Sequence, residues 1–578
     1  MCGKEFRRRL FNRLASQTRS THPCIAQYIN SFPQRGGASP ATQIGTTSGC
    51  HAAAPVRTRT SSNDAEVIVW ALGLVAAIVL VPMYATPTAR QLPAMAGAIA
   101  GVDVVEPPQR WLGDYIAPGD IAAIGAWLER PPARTADAFV ISTDMLAYGG
   151  LDASRVLDGV STAEAIERLD ALVRLRAARP NAWIAAFGTI MRLEPTAVAP
   201  VGAARTYWAG AHPPTWQYIW EYAQLHDPPL RSEQPHAKQL RALIGETTLA
   251  EYLQARARDR TADLEALRLV ANGTIDRLVI GQDDAGPVGL HVKDVRALRR
   301  AVATLHISDR AAIEPGADEL GIVLVARSMA REIGWTPHVA VRYSTPDGAA
   351  TQDPLEFAPV HVTIDALVRR AGGVRDDRRP DLSFYVRVPN TTPAQDNRLL
   401  DALEAEVADG RRVALVDLTF LTSSYAAQAA FVRRLIAVGI AGKLEAYAGW
   451  NTTANSTGIA LGEAIAAGVG RRTGRYDAPM HAAFMLDRYI DDYLYHCIVR
   501  PRIDAELAAH GVTAHWYLAR RVWQETDAHV RADLLPMARE LLRQIYPQYR
   551  AAQLDVSLPW PRTFEIESAI RLVATSGS

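Results

Sequence analysis

The stretch that decides the fold is "IDRLVIGQDDAGPVGLHVKDVRAL", Ile275 to Leu298. An apolar run of the length of a buried strand ends at Gly281, and two adjacent acids, Asp283 and Asp284, follow it. Only after Gly286 does a helical pattern begin. A strand, a short polar loop and a helix make one β/α unit of a parallel sheet.

Ten apolar runs of this kind alternate with amphipathic helical stretches along the chain. They are 78–84, 102–107, 138–144, 182–189, 276–282, 311–315, 338–344, 382–388, 413–419 and 444–450. The alternation predicts an α/β fold with mainly parallel β/α architecture. Two arrangements fit it, namely two Rossmann-like lobes or a TIM-like barrel with a C-terminal extension. Ten strands, with a polar motif after the tenth, favour two lobes.

The expected boundary between the lobes lies near Gly334. The N-terminal α/β lobe then covers 77–333 and the C-terminal α/β lobe, with a helical tail, covers 334–578. The longest connection between predicted strands, 205–274, is aromatic at its start and then highly charged. We interpret it as a helical insertion or lid on the N-terminal lobe.

The first 85 residues differ from the rest of the chain. Residues 1–66 mix Arg, Ser, Thr, Gly and Pro without a hydrophobic period, which is typical of a disordered segment or of translation from a mis-annotated start. Residues 67–85 form an apolar leader that merges into the first strand. A single membrane anchor is a second interpretation of this segment. The leader favours an exported or envelope-associated protein, and a cytoplasmic protein is the alternative.

Composition excludes several classes of protein. The chain has 578 residues, 48% hydrophobic and 21% charged, so it can bury large cores. Its 62 basic and 61 acidic residues leave a net charge of +1, which disfavours nucleic acid as a partner. Three of its four cysteines lie in the first 66 residues, so no disulfide framework or zinc site is expected. P-loop, G-x-S-x-G and H-E-x-x-H motifs are absent from the sequence.

Acidic residues recur at the carboxyl ends of the predicted strands, where parallel α/β folds bind their ligands. Asp144 ends the third strand, Asp283 and Asp284 follow the fifth, and Glu319 follows the sixth. Each of them taken alone is also a good helix N-cap or first-turn residue. Their recurrence at one end of successive strands makes these four the candidate catalytic residues.

Two chemistries suit such a cluster. Close carboxyl groups divide into a protonated acid and an ionised base, as in glycoside hydrolysis, and this chemistry uses no cofactor. Alternatively, carboxylate oxygens form a site for a divalent cation such as Mg²⁺, Ca²⁺ or Mn²⁺. The candidate metal ligands are Asp283, Asp284, Asp318 and Glu319.

A second set of polar residues is placed to hold a substrate. Gln282 ends the fifth strand and Arg192 follows the fourth, while Trp450, Asn451 and Asn455 lie in "AGWNTTANSTG" after the tenth. The amides suit hydrogen bonds to a polar ligand, and the small residues beside them suit close approach of the backbone. Trp450 is equally suited to stacking on a sugar and to the hydrophobic core. Further along the chain, "MLDRYIDDYLYHCIVRPR" predicts a salt-bridged helix.

Five ordered motifs resemble a bacterial family classed as a domain of unknown function, number four-one-two-seven. They are "ISTDMLAYGGLDASR", "IGQDDAGPVG", "EPGADELG", "AGWNTTANSTG" and "DRYIDDYLY". The resemblance implies no established activity. It also implies Leu-Asp-Asp-Arg-Pro after the first strand, whereas this chain has Met83-Tyr84-Ala85-Thr86-Pro87. Loss of two acids and an arginine implies either an altered or inactive relative or a change confined to the wall of the site.

The sequence therefore predicts a hydrolase of a polar, hydroxyl-rich small molecule or glycan. Asp283 and Asp284 supply acid/base or nucleophile chemistry, and Asp144 and Glu319 orient them. One alternative is a non-catalytic ligand-binding protein, tethered to the cell envelope. Another is a hydrolase that depends on a divalent metal.

Overall fold

Two open parallel sheets carry the fold. The computed structural model describes residues 77–115, 117–157, 159–195, 215–419, 425–512 and 517–575. The strands of these residues are β1 (Ala77–Val81), β2 (Asp103–Val105), β3 (Ala138–Ser142), β4 (Trp183–Ile190), β5 (Arg277–Gln282), β6 (Ala311–Pro315), β7 (His338–Tyr343), β8 (Val374–Arg375), β9 (Leu382–Arg387), β10 (Val413–Asp417), β11 (Ala446–Gly449), β12 (Tyr549–Ser557) and β13 (Glu567–Ala574).

The first sheet has the order β2-β1-β3-β4-β5-β6, and all of its neighbouring strands run parallel. Its strands are apolar on both faces because helices cover both sides of a parallel sheet. The segment Leu278–Gln282 of β5, for example, is buried at every position. The decisive stretch of the sequence therefore forms an inner strand of this sheet.

The second sheet has the order β11-β10-β9-β7-β8 and is also parallel throughout. Counted from its own first strand, β7, it repeats the 2-1-3-4-5 order with which the first sheet begins, an order typical of doubly wound α/β folds. The prediction of a mainly parallel α/β fold is confirmed. The alternative of a closed barrel is wrong, since each sheet ends in two unpaired edge strands. The change from one sheet to the other falls between Pro315 and His338, an interval that contains Gly334.

Helices connect the strands and form a C-terminal region. Within the described residues the α-helices are α1 (Gln91–Ile99), α2 (Ile121–Leu128), α3 (Thr143–Tyr148), α4 (Leu151–Ser154), α5 (Thr162–Arg168), α6 (Asp170–Ala178), α7 (Thr215–Ala223), α8 (Gln234–Ile244), α9 (Glu246–Ala271), α10 (His291–Thr304), α11 (Leu320–Glu332), α12 (Val360–Arg370), α13 (Pro393–Ala408), α14 (Tyr425–Ala437), α15 (Thr453–Thr473), α16 (Ala478–Arg488), α17 (Arg500–Ala509) and α18 (Arg520–Ile545). A π-helix, Tyr489–Val499, continues α16.

Helices α11 and α15 join the two sheets through one continuous hydrophobic core. Their backbones approach closely at two glycines of α15. A Cβ at Gly458 would lie 2.2 Å from Cγ of Glu319, and one at Gly462 would lie 2.6 Å from Cγ1 of Ile322. The small residues of α15 therefore serve helix packing, and the predicted close backbone approach is to α11.

An antiparallel hairpin, β12–β13, packs on α16 and α18 near the C-terminus. The sequence pattern does not predict this hairpin, because the connection "LPWPRTFEI" (558–566) contains two prolines and masks the alternation of the flanking strands. The hairpin matters for function because its connection reaches the candidate site described below.

Several predictions concern the N-terminal part and the insertion. Residues 1–76 and the start of the insertion, 205–214, lie outside the described residues, so the disordered segment and most of the apolar leader remain predictions. The described part of the insertion is helical and forms α7, α8 and α9. Among the helices that the structure describes, none has the length and apolar character needed to span a membrane.

Candidate functional site

The carboxyl ends of the two sheets meet, and their loops form what we call the junction site. Tyr84 follows β1, Asp284 follows β5, Asp318 follows β6, and Asn451 and Asn455 follow β11. Asn455 Nδ2 donates a hydrogen bond to Asp318 Oδ2 over 3.3 Å, which links the end of β11 to the end of β6. Ligands of doubly wound folds bind at the carboxyl ends of the strands. In this protein both sheets contribute residues to that region.

Asp283 is held in a buried ion pair. Arg155, which follows α4, donates a hydrogen bond from Nη2 to Asp283 Oδ2 over 2.6 Å. Asp283 Oδ1 accepts from the backbone N–H of Asp284 over 2.8 Å, and Asp152 binds the same guanidinium through Nη1 over 2.7 Å. Only 7% of Asp283 is exposed, so its carboxylate is too buried to bind a substrate directly. It influences neighbouring carboxyl groups through its negative charge.

Asp284 has a different environment from its neighbour. It is partly exposed, and no hydrogen bond or ion pair to its carboxyl group is found among the described residues. Burial of the carboxyl group, followed by repulsion from Asp283, raises the pKa of Asp284 to about 8. Arg192 opposes this effect and lowers the pKa. At neutral pH Asp284 therefore carries a proton that it can donate.

Asp318 is the second partly exposed carboxyl group at the junction. The hydroxyl of Tyr84 donates to Asp318 Oδ1, on the other side of the carboxyl group from Asn455. Burial raises the pKa of Asp318 to about 7, and the hydrogen bond from Tyr84 limits the rise because it stabilises the charged form. Asp318 is therefore ionised more readily than Asp284.

Asp144 lies beneath the surface of the site. Thr189 Oγ1 donates to Asp144 Oδ2 over 2.9 Å, and only 4% of Asp144 is exposed. Burial, with repulsion from Asp259 of α9, raises the pKa of Asp144 to about 8. Asp144 is thus grouped with the buried acid Asp259 and is too deeply buried to contact a substrate.

Glu319 is fully buried and ion-paired. Arg370 Nη1 donates to Glu319 Oε1 over 2.8 Å, and neither side chain is exposed. Glu319 Oε2 accepts from the backbone N–H of Ala317 over 3.0 Å. Asp283, Asp284 and Asp318 lie close enough for their charges to repel one another. Glu319 is instead neutralised by Arg370, which ends α12.

Trp450 adopts a left-handed backbone conformation with φ of +63°, which is uncommon for a bulky residue. Its ring stacks on His496 of the π-helix with centroids 3.2 Å apart and planes within 7°. Only 7% of Trp450 is exposed, so its ring is a buried support at the end of β11. Strain of this kind gathers at functional sites.

The remaining predicted substrate-binding residues lie around Asp284. Arg192 is partly exposed and donates from Nε to the carbonyl of Glu194 over 2.8 Å. Gln282 is buried and donates from Nε2 to the carbonyl oxygens of Ile190 and Asp283, over 3.4 and 2.6 Å. Its Oε1 has no hydrogen-bond donor among the described residues. Asn451 is partly exposed and accepts from the backbone N–H of Thr452 over 2.8 Å.

The motif "DRYIDDYLY" forms a charge network next to this edge. Arg488 contacts Asp487, Asp491 and Asp492 over 2.5, 3.2 and 3.4 Å. Asp492 Oδ2 accepts from the backbone N–H of Gly449 over 2.8 Å, so the network also fixes the end of β11. The predicted salt-bridged segment is present, in part as a π-helix. The π-helix is rare in proteins overall, and those that occur are often at functional sites.

Two groups of residues at the junction could not be identified from the sequence. Asp152 lies in the short helix α4 and Arg155 follows it, at the end of the quoted stretch "ISTDMLAYGGLDASR". Their spacing matches no known catalytic motif. The hairpin connection brings Trp560, whose ring centroid lies 5.5 Å from that of Tyr84 and 5.4 Å from that of Tyr115. A run of aromatic and charged residues in a proline-bounded loop was the available signal.

The four candidate metal ligands have different partners. In the part of the chain that the structure describes, no group of three or more His, Cys, Asp or Glu side chains is placed to hold a metal ion. Asp283 and Glu319 each bind an arginine instead.

A family model described as "Protein of unknown function (DUF4127)" matches residues 78–568. The match confirms the resemblance that the five motifs indicate. No curated protein and no solved structure matches the chain.

Proposed function

We propose that this chain, which belongs to the DUF4127 family, is a hydrolase of a polar, hydroxyl-rich substrate. The observation that carries the proposal is the pair of partly exposed carboxyl groups at the junction site, Asp284 and Asp318, which lie in different environments. Burial and Asp283 raise the pKa of Asp284 to about 8, whereas Tyr84 and Asn455 donate hydrogen bonds to Asp318. Carboxyl groups whose pKa values are separated by their surroundings are the usual acid and base of such chemistry.

The proposed reaction has one proton transfer on each side of the scissile bond. Asp318 accepts a proton from water as the water oxygen bonds to the carbon under attack. Asp284 gives its proton to the leaving oxygen as the carbon–oxygen bond breaks. The two groups end with exchanged protonation, and exchange with solvent restores them. No step uses a metal ion.

Asp283 and Arg155 prepare the site without contacting the bond. The fixed negative charge of Asp283 favours the protonated form of Asp284, as the acid role requires. Asp144 is buried and, with its pKa of about 8, is protonated at neutral pH, so it is left out of the reaction. Of the predicted substrate-binding residues, the partly exposed Arg192 and Asn451 are proposed to contact the substrate. The buried Gln282, Trp450 and Asn455 are proposed to support the loops that hold it. Glu319 is left out of the reaction, since its ion pair with Arg370 is completely buried.

A second candidate function is supported by the residues that follow β1. Met83 to Pro87 contains no acid, and Tyr84 occupies the hydrogen-bonding position next to Asp318. If acids at this place are needed for turnover in the family, this chain is a non-catalytic binding protein, tethered to the cell envelope by its apolar leader. Such a protein is stabilised by a ligand that it does not consume.

One experiment separates these functions. A panel of glycans and small metabolites is incubated with the wild-type protein, with Asp284→Asn and with Asp409→Asn, a control at an exposed site after α13. Mass spectrometry then follows consumption, and thermal unfolding follows binding. The hydrolase requires that wild type and Asp409→Asn consume a compound that Asp284→Asn leaves intact. A compound that raises the melting temperature of wild type without being consumed supports the binding protein instead.

A further inference from the structure

The connection between β12 and β13, residues 558–566, crosses the junction site, and we call it the strap. At one end Trp560 packs against Tyr84, the residue that donates a hydrogen bond to Asp318. At the other end Phe564 meets Trp450 edge-on, with ring centroids 5.6 Å apart and planes at 67°. The strap therefore contacts loops from both sheets.

Hydrogen bonds fix the strap to the helices behind it. Tyr495 Oη donates to the carbonyl of Thr563 over 2.8 Å, and Thr563 Oγ1 donates to Asp504 over 2.6 Å. The backbone N–H of Leu518 donates to the carbonyl of Pro561 over 2.6 Å. The strap is thus a preformed wall, which lowers the entropy lost when a ligand binds to it.

One ring of the strap is exposed while its neighbours are covered. Phe564 is 39% exposed, whereas Trp450, Tyr115 and Trp560 are exposed by 7%, 3% and 3%. The guanidinium carbons of Arg500 and Arg562 lie 5.3 and 5.0 Å from the Phe564 ring centroid. Phe564 is therefore an exposed apolar ring that contacts Trp450 and is flanked by two guanidinium groups.

The charges around Phe564 are balanced. Arg562 binds Glu565 through Nε–Oε1 at 2.8 Å and Nη2–Oε2 at 2.7 Å. Arg500 lies 3.4 Å from Asp504 through Nε and Oδ2. Since each arginine has its own carboxylate, this wall has no excess positive charge to attract an anion.

We propose that the strap is the substrate-binding wall of the junction site and that Phe564 stacks on the apolar face of an uncharged sugar ring. A pyranose has an apolar face and a rim of hydroxyl groups. The apolar face fits against Phe564, and the hydroxyl groups fit the partly exposed polar side chains of Asp284, Asp318 and Asn451. The inference rests on the proposed function, because it names the substrate class of the same site.

The test measures binding, so it does not depend on turnover. The full-length Asp284→Asn protein is titrated with the neutral tetrasaccharides of glucose in α-1,4 and β-1,4 linkage, of xylose and of N-acetylglucosamine, by calorimetry. Phe564→Ala is then added, with Val374→Ala as a control. Val374 is 41% exposed and lies on β8, at the opposite edge of the second sheet from β11.

At least one tetrasaccharide is expected to bind, with a Kd at least tenfold higher for Phe564→Ala and unchanged for Val374→Ala. Phe564→Tyr is expected to restore most of the affinity because it restores the ring. The inference is overturned if none of the four sugars binds, or if Phe564→Ala binds as tightly as its parent. A sugar that binds through Phe564 but is never consumed by the wild-type protein contradicts the hydrolase and leaves the strap's role intact.

Discussion

Asn455 and Asp318 are 137 positions apart in the chain, and Asn455 Nδ2 donates to Asp318 Oδ2 across 3.3 Å. The first residue belongs to the start of α15 and the second follows β6, so this contact joins the carboxyl ends of the two sheets. Asp318 also accepts a hydrogen bond from the hydroxyl of Tyr84, which follows β1. The proposed base is therefore held by one residue from the carboxyl end of each sheet.

Asp284→Asn is expected to lower kcat by about 10²- to 10⁴-fold, the usual contribution of a general acid. The amide has the same shape and carries no proton that it can donate to a leaving oxygen. Its melting temperature at neutral pH should stay at or above that of wild type, because the wild-type carboxyl group has to take up a proton on folding and the amide does not. A variant that keeps more than a tenth of wild-type kcat on a consumed substrate would exclude Asp284 as the acid.

Asp283→Asn is expected to act mainly on stability. The change leaves the buried Arg155 with Asp152 as its remaining carboxylate partner. Removing one member of a buried ion pair costs about 3 kcal/mol of unfolding free energy. Urea unfolding of Asp283→Asn beside Asp409→Asn measures the difference, and a loss below about 0.5 kcal/mol, the usual effect of a surface substitution, would contradict this role.

The pH dependence of kcat/KM follows from the two carboxyl groups. Asp318 has to be ionised, so the rate rises with pH through its pKa of about 7. Asp284 has to be protonated, so the rate falls as pH rises through its pKa of about 8. We expect a narrow bell-shaped profile with its maximum between these values. A rate that is flat from pH 5 to pH 9 would be incompatible with both assignments.

Tyr84→Phe tests the positioning of Asp318. The hydroxyl of Tyr84 stabilises the charged carboxylate and so lowers the pKa of Asp318. Without it the pKa of Asp318 rises, and the acidic limb of the pH–rate profile should move to higher pH while the alkaline limb stays in place. Tyr517→Phe is the matched control, since Tyr517 is 44% exposed. An unchanged acidic limb would show that Tyr84 does not act through Asp318.

Much of the fold could be predicted because parallel strands are apolar on both faces, and each of the ten predicted runs overlaps an observed strand. The two-residue β8 is too short to leave a pattern, and two prolines interrupt the hairpin of β12 and β13. The polarity of the strands also placed Asp283, Asp284 and Asp318 at one edge.

Other parts of the site depend on contacts that no local pattern encodes. Arg370 lies 51 positions after Glu319, and Arg155 lies 128 positions before Asp283. These partners decide which carboxyl groups are ion-paired and which keep a titratable proton. Trp450 shows the same limit, since its burial on His496 follows from the packing of the π-helix against β11.

The most direct test of the central claim is a carboxyl titration by ¹³C NMR on protein labelled at aspartate Cγ. Subtraction of spectra from Asp284→Asn and Asp318→Asn assigns the two resonances. Midpoints near 8 for Asp284 and near 7 for Asp318 are expected. Midpoints near 4 for both groups would show two ordinary solvated carboxylates and would contradict the acid and base roles.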